Sequence, residues 1–212
     1  MTVWRDLPDR RYDVVLADPP WAYYGQQDKW GAAAKFYATA PDDDIARLPI
    51  PDLLSDRGVL FLWATSPRLD LAMACLRGWR LHFRGVAFVW VKARKDGGPI
   101  GAQGVRPSIV KPTAEYVLAA SRVARGRPMK LGHEGVPNVI LAPRRAHSQK
   151  PDEVSDWIER LYPEASRLEL FARAERPGWD AWGNEVGKLG STAPAAAAQG
   201  AGAARASTAS PG

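Results

Sequence analysis

Two consecutive prolines set the strongest constraint on how this chain can fold. They close the stretch Tyr12-Asp13-Val14-Val15-Leu16-Ala17-Asp18-Pro19-Pro20-Trp21, whose apolar, β-branched middle reads as a fully buried strand. Neither proline can donate a ladder hydrogen bond, and each biases the residue before it away from the helical region. The strand therefore stops at Asp18, and the chain leaves the sheet along a stiff, extended path. A carboxylate, a row of carbonyls and a large aromatic are held at the carboxyl edge of a buried strand. In open α/β sheets that edge is where ligands sit.

The rest of the chain alternates in a way that suits such a sheet. Residues 59–64 and 86–91 read as buried strands, with a helix over 67–77 between them that Gly78 should terminate. Residues 115–120 and 168–172 read as further strands, and 138–141 as a short one. Acids at Asp42, Asp43 and Asp44 suit the first turn of a helix that Pro49 ends, and a second short helix is expected near 52–55. The clearest helix is 151–162, with proline in its first turn and Val154, Trp157, Ile158 and Leu161 at helical spacing. Strand–helix–strand alternation predicts βαβ units and a mainly parallel sheet. Residues 23–40 and 92–113 read as long, Gly- and Pro-punctuated loops of the kind that carry function, and 178–185 as a tryptophan-rich cap. We expect one domain over 1–186 and an Ala/Gly/Ser-rich disordered tail over 187–212, because that composition cannot bury enough to offset ordering.

Composition excludes several classes. The apolar runs are too short to span a bilayer, so no membrane is expected. The N-terminal residues lack the charged and apolar regions of a signal peptide, and the single Cys75 fits a reducing, cytoplasmic location. A disulfide within the chain and a cysteine-based zinc site are both excluded, and His82, His133 and His147 show no metal-ligand spacing, so no metal is expected. The net charge of +6 is uneven: twelve Lys/Arg against two acids lie between Arg77 and Lys130. Such a segment suggests contact with a polyanion, with a solvated basic surface as the alternative.

Four constellations can carry chemistry, the fourth being the stretch 178–185, whose plainer alternative is a packed tryptophan-rich cap. The 6-amino group of adenine is a poor nucleophile because its lone pair is delocalised into the ring. Asp18 can accept one amino hydrogen, a carbonyl of Pro19–Pro20 the other, and Trp21 can stack on the base. The plainer alternative is a strand-ending turn with Trp21 in the core. In His147-Ser148-Gln149-Lys150-Pro151, a lysine just before a helix can bind a carboxylate or ribose hydroxyls, or simply meet solvent. In Glu169-Leu170-Phe171-Ala172-Arg173, an acid inside a strand needs a partner, either a ribose hydroxyl pair or an arginine. No G-x-G-x-x-G follows any strand, and no P-loop or serine elbow is present.

Together these motifs resemble the adenine-N(6) methyltransferases of the seventy-kilodalton-subunit (MT-A type) family. Carrying the resemblance are Ala17-Asp18-Pro19-Pro20-Trp21, Leu60-Phe61-Leu62-Trp63, Trp90-Val91-Lys92, the His147–Pro151 and Glu169–Arg173 segments, and Gly178-Trp179 through Asn184-Glu185, all in the family's order. The resemblance implies a Rossmann-like S-adenosylmethionine-dependent methyltransferase fold in permuted order, with the catalytic motif ahead of the cofactor-binding part. It implies that Asp18, Pro19, Pro20 and Trp21 hold the adenine amino group. It likewise implies that Lys150, Glu169, Phe171, Arg173, Asn184 and Glu185 line the S-adenosylmethionine pocket. Lys92, Arg106, Lys111 and Glu115 are the expected target contacts. The loop before Glu115 lacks the family's frequent aromatics and arginine, and Lys111 is expected to replace that arginine at a phosphate. The expected partner is nucleic acid, DNA ahead of RNA, with homo- and heterodimer both left open.

Overall fold

The computed structural model describes residues 4–21, 41–98, 100, 110, 112–145, 149–184 and 186. The expected loop over 23–40 and tail over 187–212 lie outside them, as do Arg106, Lys111, His147, Ser148 and Glu185.

Among the described residues, the core is a seven-stranded sheet with three α-helices on one face and one on the other. The strands are β1 (Tyr12–Ala17), β2 (Leu54–Thr65), β3 (His82–Ala93), β4 (Ala114–Ser121), β5 (Val139–Pro143), β6 (Arg167–Leu170) and β7 (Asp180–Trp182), in the order β5-β3-β4-β2-β1-β6-β7. Six of them run in one direction, and β4 opposes both of its neighbours, β2 and β3. The sheet is thus mainly parallel, as expected. The expected βαβ pair β2 and β3 is parallel too, but β4 lies between the two strands.

Alternation along the central strands sorts side chains into two cores. Val15 and Ala17, with Leu60, Leu62 and Ala64, pack under the helices α1 (Asp42–Ala46), α2 (Ile50–Leu53) and α3 (Leu69–Gly78). Val14 and Leu16, with Phe61, Trp63, Phe88 and Trp90, pack under α4 (Glu153–Leu161), which buries Val154 and Ile158. Fully buried residues such as Leu60 and Leu62 each contribute roughly 1.5–3 kcal/mol through area removed from water. On the first face, Arg68 is nearly inaccessible and forms an ion pair with Asp42, tying the turn before α3 to α1.

Several local expectations shift. Helix α2 ends at Leu53, and β2 begins where a helix over 52–55 was expected. The register of β1 against β2 slips between Tyr12 and Val14, so β2 bulges over 55–57. Gly58 closes that bulge because a Cβ there would lie 2.9 Å from Leu54 and 3.0 Å from the Tyr12 carbonyl. Helix α3 runs through Gly78 and is capped by Trp79, rather than ending before the glycine. Strand β6 ends at Leu170, since Phe171 adopts φ +64°, which no strand residue can hold. The expected tryptophan-rich cap contains a true edge strand, β7, which continues the sheet in parallel with β6.

Asp13 locks the opening strand in place. Its carboxylate accepts Ser55 Oγ at 2.9 Å, Ser166 N at 3.1 Å and Ser166 Oγ at 3.0 Å, tying β1 to the start of both neighbouring strands. Burial pushes the Asp13 carboxyl up, but these serine donors outweigh it and hold the group below the usual carboxylate range. A depressed carboxyl contributes stability that is present above its unfolded value, about 3.9, and lost as pH falls through the folded value. Asp13→Asn should therefore cost about 1.5–3 kcal/mol at neutral pH in urea unfolding. The gap to wild type should narrow below about pH 4.

Candidate active site

Strand β1 delivers Asp18 to the carboxyl edge, and the prolines hold it there. The Asp18 amide still donates to Leu170 O on β6 at 3.4 Å, the last rung on that side. Pro19 is buried, and Trp21 N donates to Pro19 O at 2.8 Å, making a tight turn centred on Pro20. The Trp21 indole donates to Trp63 O at 2.9 Å and is only 4% exposed. The ring expected to stack on a base is therefore covered by the α1–α3 core and anchors the turn. Its buried N–H needs an acceptor, and the end of β2 supplies one.

Asp18 is the end member of an alternating chain of charges. Lys150 Nζ lies 2.7 Å from Asp18 Oδ2 and 3.4 Å from Glu115 Oε2, while Lys92 Nζ lies 2.6 Å from Glu115 Oε1. The two ammonium groups each sit 5.2 Å from an indole, Lys150 over Trp63 and Lys92 over Trp90. Burial pushes the Asp18 carboxyl above its ordinary range; Lys150 offsets only part of that, and the neighbouring Glu115 charge adds to it. Burial also pushes Glu115 up, but Lys150 and Lys92 outweigh it and hold its carboxyl low. Residues expected to serve cofactor (Lys150), chemistry (Asp18) and target (Glu115, Lys92) thus form one connected array.

A cavity opens beside Asp18 between β6 and the start of α4. Its walls include Leu16, Trp63, Gln149, Lys150, Pro151, Asp152, Glu169, Phe171, Arg173 and Arg176. Burial, then the nearby Asp18 charge, pushes the Glu169 carboxyl up to about 7, with Arg176 opposing. Arg176 is itself buried, donating to Glu159 Oε1 at 2.6 Å and to Asp156 on α4. Trp179 Nε1 shares Glu159 Oε1 at 2.7 Å, so the β6–β7 connection is pinned to the helix. Phe171 is held edge-on by Trp4 and Trp182, with centroids 5.5 and 5.6 Å away. Gly183 lets β7 close over this turn, since a Cβ would lie 2.6 Å from Ala172 O.

Of the expected cofactor residues, Lys150, Glu169, Phe171 and Arg173 line the cavity. Asn184 is exposed and is not among the lining residues. Sequence reasoning missed Arg176 and Asp152 as wall residues, although the density of charges around the clearest helix was a usable signal. Among the described residues, no group of three or more His, Cys, Asp or Glu could hold a metal ion, and no helix is long and apolar enough to cross a membrane.

Comparison with known proteins matches residues 12–185 to the MT-A70 family model. A Type II methyltransferase, M.MunI, from Mycoplasma sp is 30% identical over 202 residues, which covers 87% of this chain and 82% of that protein. The human N(6)-adenosine-methyltransferase catalytic subunit METTL3 is 33% identical over 178 residues, 83% of this chain but 28% of its own length. An MT-A70-like N(6)-adenosine-methyltransferase of Arabidopsis thaliana is 32% identical over 177 residues, 82% of this chain and 24% of its own. The chain thus spans about a quarter of these eukaryotic relatives and most of the mycoplasmal one.

The Glu169 carboxyl can be followed by carbon NMR of protein labelled at the glutamate carboxyl. It should titrate near 7, and in Asp18→Asn its midpoint should fall, because one raising charge is removed.

Proposed function

The chain belongs to the MT-A70 family, and on that premise we propose that it transfers a methyl group from S-adenosylmethionine to the 6-amino group of adenine in DNA. The observation that carries this reading is the Asp18 carboxylate, fixed at a strand end between a cavity and a lysine–glutamate pair. DNA is favoured because the Type II methyltransferase is matched along most of its length. The adenosine in the names of the eukaryotic relatives makes RNA the second reading.

The cavity's donor set fits the cofactor. S-adenosylmethionine presents a ribose diol, a carboxylate, an ammonium group and a flat base. The walls offer Glu169 for hydroxyls, Arg173 and Lys150 for a carboxylate, Asp152 for a cation and the Phe171 ring for a base face. When bound, the cofactor would supply an electrophilic methyl on a sulfonium. We assign its holding to Lys150, Glu169, Phe171 and Arg173, and add Asn184 and Glu185 from the family resemblance.

The chain's own residues do the rest by orientation and charge. The Asp18 carboxylate is the natural acceptor for one amino hydrogen, and in the resting site Lys150 occupies its Oδ2. Pro19 O already takes the Trp21 amide, which leaves the Pro20 carbonyl as the acceptor for the second. Two acceptors aligned on one amino group localise its lone pair and aim it. As the nitrogen–methyl bond forms and the sulfur–methyl bond breaks, the nitrogen becomes acidic and must lose a proton. A carboxylate whose affinity for protons is raised by burial, like Asp18, suits that task. In a duplex the base must first leave the stack, at a cost of a few kcal/mol. Arg106 and Lys111 are the proposed contacts to the target strand, while Lys92 and Glu115, which were expected to join them, stand with Lys150 in the charge array beside Asp18.

Asp18→Asn keeps the shape of the side chain while removing its charge. It should lower kcat for methyl transfer to an adenine-containing oligonucleotide by about a hundredfold or more, with thermal unfolding little changed. Unchanged transfer would refute the assignment. Matched DNA and RNA oligonucleotides in the same radiolabelled assay should show higher kcat/KM on DNA.

A further inference from the structure

The charge chain at the sheet edge holds one more cation than chemistry at Asp18 requires, and that cation sits on the acceptor a base would need. Lys150 Nζ is 2.7 Å from Asp18 and only 3.4 Å from Glu115. The difference of 0.7 Å between those contacts is within reach of a side-chain torsion, with no movement of the backbone. The indole of Trp63, 5.2 Å from the ammonium, gives it a surface along which to move while it stays out of bulk water.

We propose that Lys150 is a transferable cation, held by Asp18 in the resting site and handed to Glu115 when an adenine amino group docks on Asp18, and that Lys92 is a positioning residue that keeps Glu115 able to receive it. The inference rests on the methyltransferase reading and gives Lys92 and Glu115 a role that neither a phosphate contact nor a base contact would supply. Among the described residues, three charged groups from three segments face Glu115. Lys92 comes from β3, Lys150 from the segment before α4 and Asp18 from β1. Strand β2 places the uncharged Thr65 opposite it. Arg173 and Glu169 line the cavity beside Asp18, Arg173 acting on the Asp18 carboxyl and Asp18 on that of Glu169.

Electrostatics supports the handover. Asp18 and Glu115 raise each other's cost of ionisation, and a single lysine between them would have to neutralise two carboxylates. Lys92 removes that shortage by neutralising Glu115 from the other side at 2.6 Å. Glu115 is therefore held below its ordinary carboxylate range and offers Lys150 a second place to bind. Without Lys92, Glu115 protonates at higher pH and stops accepting Lys150. The ammonium then stays on Asp18 and blocks the amino group.

The test uses the full chain. Lys92→Met should lower kcat for methyl transfer by about tenfold, move the acid limb of the kcat profile to higher pH and leave KM for the oligonucleotide close to wild type. Lys92→Arg, which keeps the charge, should restore both kcat and the position of the limb. A lysine that only contacted phosphate would behave differently: KM would rise, the salt dependence of binding would weaken by about one ion, and the pH limb would stay in place. That pattern would overturn the proposal. A second arm needs no activity: in Asp18→Asn, Lys150 should pass to Glu115, and the Glu115 carboxyl signal should titrate at lower pH than in wild type. An unmoved Glu115 titration in Asp18→Asn overturns the handover even if the enzyme methylates adenine. Wild-type protein inactive on every adenine substrate would overturn the functional premise, and the handover with it.

Discussion

A carboxylate placed at the end of a buried strand must be compensated, and most of the site's architecture follows from compensating Asp18. Its partner, Lys150, stands 132 residues further along the chain, so only the folded sheet can bring the pair together. The reversed direction of β4 matters here. Because β4 opposes its neighbours, its first residues arrive at the edge where β1, β2 and β3 end, and Glu115 comes to lie opposite Thr65 and Trp90. A parallel strand in that slot would present its last residues there instead. Two carboxylates and two ammonium groups, contributed by four segments, thus neutralise one another at half-buried positions where an isolated charge would be costly.

The opposite wall of the cavity is built by a different economy. Parallel strands usually need a dozen or more residues between them, often a helix. Strands β6 and β7 are joined by residues 171–179 alone, with no helix among them. The short path is held open by the left-handed backbone at Phe171, by the missing side chain at Gly183 and by Arg176, which grips two acids on α4. Arg176 is consequently a structural cation facing a binding cavity. Its charge is engaged by Glu159 and Asp156, while Arg173, three residues nearer the strand, acts on Asp18 across the cavity.

Much of this was legible in the residues. The strands at 59–64, 86–91 and 115–120 lie inside longer ones, and the helix over 151–162 is present with its apolar stripe turned to the sheet. What escaped was set by tertiary contact. Strand β7 is three residues long with a Trp and an Asp at its ends, too short to show a period, and it exists because β6 offers it an edge. The covered ring of Trp21 was one of two readings of the same letters; the choice depended on whether a carbonyl lay within reach of its N–H, and Trp63 O does. Lys150 carried a plausible role at a helix start, but no local pattern could reveal that it bridges Asp18 and Glu115.

By itself, the amino-acid sequence determined where the first strand stops, because proline has no amide hydrogen to continue a ladder. It also determined which runs could be buried on both sides, because uninterrupted apolar stretches have nowhere else to go. Both are properties of adjacent residues. The partners of each charge were decided only by the tertiary structure. Coulomb energy depends on distance and on the surrounding medium, and both are set by strand order and direction rather than by neighbours in the chain. Asp18 is an acid at a strand end in the sequence; the sheet gives it a cation, a competing carboxylate and a cavity.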